Sequence, residues 1–159
     1  MNSNTSTSVQ SEHLLAITRV FSAPRHLVFA AWTDPEMVQA WWGCAQASSV
    51  RSTVDLRVGG EYNHVLTIGG CSEYVMTGRF TEIDAPNRIA YSMSGSDRDG
   101  RANMPETHAV VEFIDLGGST ELRFTMSGMP GQFVEIITAG WNASLDGLAR
   151  VIRSSGSMD

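Results

Sequence analysis

Residues 132–153 read QFVEIITAGWNASLDGLARVIR. Val134, Ile137, Trp141, Leu145, Leu148 and Ile152 are spaced by threes and fours, which lays one apolar stripe along a helix. A stripe of that length must be buried against a large partner. The chain upstream supplies one. Val50, Ser52, Val54, Leu56 and Val58 alternate with Arg51, Thr53, Asp55 and Arg57, and this predicts a strand over 50–58 with one apolar face. Gly59-Gly60 breaks the chain, and Tyr62, His64, Leu66 and Ile68 then share a face of the next strand.

The alternation continues. Gly69-Gly70 is a turn, and Tyr74 to Ile83 is a strand with Met76, Gly78 and Phe80 on one side. Asp84 to Asn87 is a turn by composition, and Ile89, Tyr91 and Met93 alternate after it. Ser94 to Glu106 is polar and reads as a loop. His108 to Ile114 and Glu121 to Met126 form a hairpin around Gly117-Gly118, with Val111, Phe113, Leu122, Phe124 and Met126 as its apolar residues. Ser127 to Gly131 reads as a second loop.

Nearer the N-terminus, Leu14 to Phe21 is a strand. Ser22 is expected to cap a helix opened by Pro24, and Asp34 or Thr33 to cap a second with Pro35 in its first turn. That second helix runs to Trp41 and Trp42 and stops at Gly43. Adjacent tryptophans point in different directions, so one is expected inward and the other at a cavity mouth. The expected order is β-α-α-β6-α: an α+β fold with a curved seven-stranded antiparallel sheet around a long C-terminal helix, two short helices following strand 1. Residues 1–12 and 154–159 read as disordered tails and 13–153 as a single domain. A gap between sheet and C-terminal helix is the expected ligand site.

Several function classes are disfavoured. The 159 residues carry a formal net charge of −6 and contain no lysine, and the arginines are scattered, so nucleic acid and anionic membrane are poor partners. No apolar run has membrane-spanning length, and the first dozen residues are no signal peptide, so a cytoplasmic location is expected by default. Cys44 and Cys71 form no CxxC pattern and have no neighbouring His, so free, ordinary thiols are the plainer reading. Histidine spacing fits no metal site, and there is no GxSxG elbow or P-loop. No metal or cofactor is expected.

Quoted in order, Ser22-Ala-Pro24, Val28 to Trp32, Thr33-Asp34-Pro35-Glu36, Trp41-Trp42-Gly43, Asp55 to Tyr62, Gly78 to Pro86, Gly118 to Leu122 and Gly140-Trp141-Asn142 form a pattern. It resembles the bacterial proteins related to the C-terminal domain of the activator of the Hsp90 ATPase, within the START / Bet v 1-like superfamily of helix-grip folds. The resemblance runs from about His13 to Arg153 and implies the fold. It leaves function open, because that superfamily binds many ligands and includes only some enzymes.

His64 shares parity with Tyr62 and Leu66, so it faces the pocket if that side is concave. It is either an acid/base near neutral pH or a hydrogen-bonded pocket histidine, the second being the plainer reading. His13, His26 and His108 read as surface residues. Glu61, Glu73, Glu82, Glu112 and Glu121 belong to a solvated outer face, and Glu135 sits near the start of the last helix. Met104 and Met129 fall in the two long loops, which are expected to form a mobile lid. The expected lining is Trp42, Tyr62, His64, Met76, Tyr91, Phe113, Phe124, Met126, Phe133 and Trp141.

Three functions follow as expectations. The first is binding of a small hydrophobic or aromatic molecule. The second is a cofactor-independent enzyme of isomerisation, cyclisation or hydrolysis, with His64 as acid/base and Tyr62 as donor. The third is a co-chaperone-like interaction module, suggested only by the resemblance; the absence of the eukaryotic co-chaperone's additional N-terminal domain counts against it. A monomer or a homodimer fits equally.

Overall fold

The computed structural model describes residues 13–42, 47–68, 72–97 and 103–156. Strands β1 (His13–Phe21), β2 (Ala47–Val54), β3 (Glu61–Ile68), β4 (Ser72–Asp84), β5 (Arg88–Asp97), β6 (Asn103–Asp115) and β7 (Thr120–Met129) form one sheet. Its order is β1-β7-β6-β5-β4-β3-β2, antiparallel throughout. From β2 to β7 the chain is a meander. Only β1 leaves its sequence neighbour, pairing with β7, so the chain must cross from one edge of the sheet to the other. Helices α1 (Arg25–Thr33) and α2 (Pro35–Trp41) make that crossing. After β7 a short 3-10 turn, Gly131–Phe133, leads into α3 (Val134–Gly156).

Alternation sets the two faces. Tyr62, His64 and Leu66 on β3, Ile89, Tyr91 and Met93 on β5, Val111 and Phe113 on β6, and Leu122, Phe124 and Met126 on β7 are all buried. The opposite face carries cross-strand ion pairs: Arg79 with Glu61 at 2.7 Å, Arg51 with Glu73 at 3.4 Å, and Arg88 with both Glu82 and Glu112. Exposed pairs of this kind add little stability but keep that face solvated. On α3 the stripe is buried at Trp141, Leu145, Leu148 and Ile152 and half-buried at Val134 and Ile137. Burial of each large aliphatic side chain contributes about 1.5–3 kcal/mol. Arg19 of β1 fixes the helix in place, bonding the Asn142 carbonyl at 3.1 Å and Asp146 at 2.9 Å.

Asp34 caps α2 as expected, accepting from the Glu36 N–H at 3.0 Å. Several element ends differ from the sequence reading. Ser22 does not cap α1; Pro24 holds the N-cap position with no side-chain bond, and its carbonyl accepts the first helical N–H groups. The strand read over 50–58 ends at Val54, because Asp55 to Gly60 closes a turn in which the Arg57 N–H bonds the Asp55 carbonyl and the Gly60 N–H bonds the Arg57 carbonyl. Leu56 and Val58 are consequently exposed. A Cβ on Gly60 would lie 2.1 Å from the Asp55 carbonyl oxygen, so this turn requires glycine there.

The loop read over 94–106 is largely strand: β5 continues to Asp97 and β6 begins at Asn103, pairing Ser96 with Asn103. The long neighbour β4 offers backbone partners there whatever the side chains are. β7 likewise continues to Met129, which is fully buried, so Met129 belongs to the core and not to a lid. Met104 lies on β6 by its backbone pairing. The helix runs on to Gly156, through residues read as a tail. Gly43, Cys44, Gly69, Gly70 and Cys71 lie outside the described residues.

Candidate functional site

The candidate site grows from β3. Parity turns Tyr62 and His64 inward together, with ring centroids 5.1 Å apart. Register then supplies neighbours: His64 stands opposite Ser52 on the edge strand β2 and opposite Met76 on β4. The His64 Nδ1 and Ser52 Oγ are 2.9 Å apart. The Ser52 N–H in turn donates to the Gln39 Oε1 of α2 at 2.9 Å, which ties the edge strand to the helix above it. Trp42, immediately after α2, lays its indole against the His64 ring at 4.3 Å.

Tyr62 pairs with Gly78 across the ladder. Its hydroxyl passes over that glycine and donates to the Ser92 carbonyl of β5 at 2.7 Å. A Cβ at Gly78 would sit 1.8 Å from that carbonyl oxygen and 2.7 Å from the Tyr62 hydroxyl, so the crossing exists only because residue 78 has no side chain. Tyr91, packed edge-on against Tyr62 at 5.4 Å, is different. Its hydroxyl is buried and has no hydrogen-bond partner among the described residues.

These residues border a recess of about 20 Å³, counted as space open to the centre of a water molecule. It is lined by Trp32, Trp42, Val54, Tyr62, His64, Phe80 and Tyr91. A water needs roughly 10–15 Å³ by that measure, so the space admits about one. No residue of the C-terminal helix lines this recess. Its walls come from α1, the end of α2 and β2 to β5, so it sits under the α1–α2 elbow. α3 fills its own part of the concave face: Trp141 stacks on Trp32 at 5.8 Å and on Phe124 at 4.3 Å.

The electrostatics are those of a buried, uncharged site. Burial pushes the His64 imidazole down to about 3, with the Asn63 backbone carbonyl opposing only in part, so the ring is neutral across the physiological range. Burial also raises the Tyr62 hydroxyl far above its ordinary value, and nearby Tyr91 adds to this. Tyr91 is raised by burial as well; the Trp32 indole N–H lies near enough to oppose this, but it is not aligned as a hydrogen bond. Both phenols are therefore protonated. No Arg, Asp or Glu lines the cavity. Among the described residues, no three His, Cys, Asp or Glu side chains converge as metal ligands would.

Of the ten residues named from sequence as a lining, Trp42, Tyr62, His64 and Tyr91 meet at this cavity. Met76 stands beside His64, half-buried, without lining it. Phe113, Phe124 and Met126 are buried in the core, Trp141 packs behind Trp42, and Phe133 is half-buried in the turn before α3. Trp32, Val54 and Phe80 were not named. Phe80 shares the parity of Met76 and Gly78, and that was the available signal. Trp32 and Val54 reach the site only through tertiary folding. Trp41 is fully buried and anchored, its Nε1 donating to the Ala31 carbonyl at 2.8 Å. His26, His108 and Glu135 are exposed.

The family described as Activator of Hsp90 ATPase homolog 1-like protein matches residues 22–153. No curated protein matches the sequence. Many solved structures do. A crystal structure of a Chromobacterium violaceum protein is 25% identical, covers 87% of this chain and 96% of its own, and superposes with a TM-score of 0.73. A Rhizobium loti protein is 24% identical over 88% of this chain and 96% of its own, with a TM-score of 0.75. A solution structure from Arthrobacter aurescens is 21% identical over 89% of this chain and 86% of its own, also at 0.75. These likenesses speak for the fold.

Proposed function

The chain belongs to the Activator of Hsp90 ATPase homolog 1-like family, and from that premise we propose that it binds a small hydrophobic or aromatic molecule in the recess under the α1–α2 elbow. The observation that carries this reading is the recess itself, a ring-lined space beside a buried hydroxyl that has no partner among the described residues. Cavities with apolar walls and a few placed polar atoms are the usual form of a small-molecule site.

At about 20 Å³ the recess is too small for a benzene-sized guest, which must displace one of its side chains. Trp42 is the side chain suited to move. Its neighbour Trp41 is held by a hydrogen bond, whereas ring contacts with Trp41, His64 and Trp141 hold Trp42. Binding is favoured over turnover because the two groups an enzyme would use are engaged or silent. His64 is a weak base once burial has lowered its proton affinity, and the Tyr62 proton is already donated to Ser92. Among the described residues, no helix is long and apolar enough to cross a membrane. We take the setting to be the cytoplasm, with the protein acting as monomer or homodimer.

A thermal-shift screen with aromatic and lipid-like compounds tests the reading, followed by ¹⁵N correlation spectra of the four indole N–H groups. A ligand that binds only the native state raises Tm with concentration, and the Trp32 and Trp42 signals move. No dose-dependent rise across soluble compounds, with all four indole signals unmoved, overturns it and turns attention to protein partners.

A further inference from the structure

The wall of the recess carries no charge, and it includes one fully buried side-chain hydroxyl without a partner among the described residues. Six of its seven lining side chains are rings, and Val54 is the seventh. The polar atoms divide unequally. Ser52 occupies the His64 Nδ1, and the Ser92 carbonyl takes the Tyr62 proton. The Tyr91 hydroxyl is the fully buried one without a partner among the described residues. A phenol hydroxyl can both donate and accept, and its hydrogen can turn toward an acceptor in the recess.

We propose that the occupant of this recess is an uncharged aromatic carbonyl compound whose oxygen accepts a hydrogen bond from Tyr91 Oη while its ring lies among Trp32, Trp42 and Phe80. The inference rests on the binding reading and narrows it to a chemical class. A buried donor without a partner is a standing cost, which an acceptor brought by the ligand removes. A purely apolar guest would leave that cost in place. A carboxylate would enter a wall with no arginine and a neutral histidine, losing its hydration without compensation. A cation would find ring faces but no carboxylate, and it would leave the Tyr91 hydroxyl hydrogen without an acceptor.

Four probes of similar size separate these cases: acetophenone, ethylbenzene, benzoate and benzyltrimethylammonium. Each is titrated into the whole chain and into Tyr91→Phe, and the indole N–H signals are followed by NMR. In the wild type, acetophenone is expected to bind about tenfold more tightly than ethylbenzene, the size of one buried neutral hydrogen bond, and to exceed both ions. In Tyr91→Phe the advantage over ethylbenzene falls to about twofold or less, while ethylbenzene itself binds as before. If ethylbenzene equals acetophenone in the wild type, if either ion binds best, or if the advantage survives in Tyr91→Phe, the carbonyl assignment fails and the binding reading stands. If none of the four moves an indole signal, both fail. The wild-type comparisons decide the matter even if the variant folds poorly.

Discussion

The concave layer has two halves that solve the same packing problem differently. Beneath α3, Leu122, Phe124, Leu145 and Leu148 are fully buried, and none carries a polar atom on its side chain. Shape alone satisfies them. Beneath the α1–α2 elbow the inward residues include Tyr62, His64 and Tyr91, which also need directed partners. Tyr62 and His64 find them, and Tyr91 does not. The lesson is that incomplete polar satisfaction and residual space occur together, in the half that has directional demands.

The largest expected effect lies in the filled half. Phe124→Ala removes a ring packed against Trp32 and Trp141 at 6.1 and 4.3 Å. The surrounding sheet cannot collapse into the space, so the loss should be about 3–5 kcal/mol in urea-induced unfolding. A loss under about 1.5 kcal/mol would mean that this half is as loosely filled as the other.

The second effect belongs to the elbow and depends on pH. His64 titrates near 3 when folded and near its ordinary 6.5 when unfolded. Between those values the unfolded chain holds the extra proton, so stability rises with pH across that window. The contribution is complete above about 6.5 and is lost as pH falls toward 3. The slope is at most about 1.4 kcal/mol per pH unit, or roughly 2 kcal/mol from pH 7 to 5. His64→Gln should flatten the difference between unfolding curves at those two pH values. An unchanged slope would place the proton uptake elsewhere.

A third, similar in size, tests the crossing that shapes the recess. Gly78→Ala puts a methyl group into the Ser92 carbonyl, and the strands must part. A cost of about 1–3 kcal/mol is expected, with the Tyr62 ring displaced. Gly140→Ala is the control, since its Cβ would meet nothing within 4 Å. Equal effects would show that helix or strand propensity, not the crossing, governs residue 78.

The same contrast explains what the sequence made legible. The strands and the α3 stripe were readable because burial imposes a period of two or of three to four on the residues themselves. Ends were less readable. Ser96 and Asn103 look like loop residues, yet they pair because neighbouring strands offer backbone groups. Leu56 and Val58 keep the alternation of β2, yet the turn from Asp55 leaves them outside. At the candidate site, parity brought out Tyr62, His64 and Tyr91. It could not bring out Trp32 or Val54, since nothing local records that a residue of α1 and the last residue of β2 will face each other. Nor could it tell which helix would leave space beneath it, because that depends on how well the α3 stripe fills its own half.

The smallest expected effect is the most telling, because it sets two tyrosines of the same recess against each other. Tyr62→Phe deletes the donor to the Ser92 carbonyl and leaves that buried oxygen with one partner fewer, so a loss of about 1–3 kcal/mol is expected. Tyr91→Phe deletes a hydroxyl that bonds to nothing among the described residues. Removing a buried polar atom without a partner relieves desolvation and breaks no bond, so stability should be unchanged or rise by up to about 1 kcal/mol. Chemical denaturation of the two single variants in parallel measures the difference. If Tyr91→Phe costs as much as Tyr62→Phe, the Tyr91 hydroxyl is satisfied in solution, by Trp32 or by a water in the recess, and the space beneath the elbow is no more in need of a partner than the packed half beneath α3.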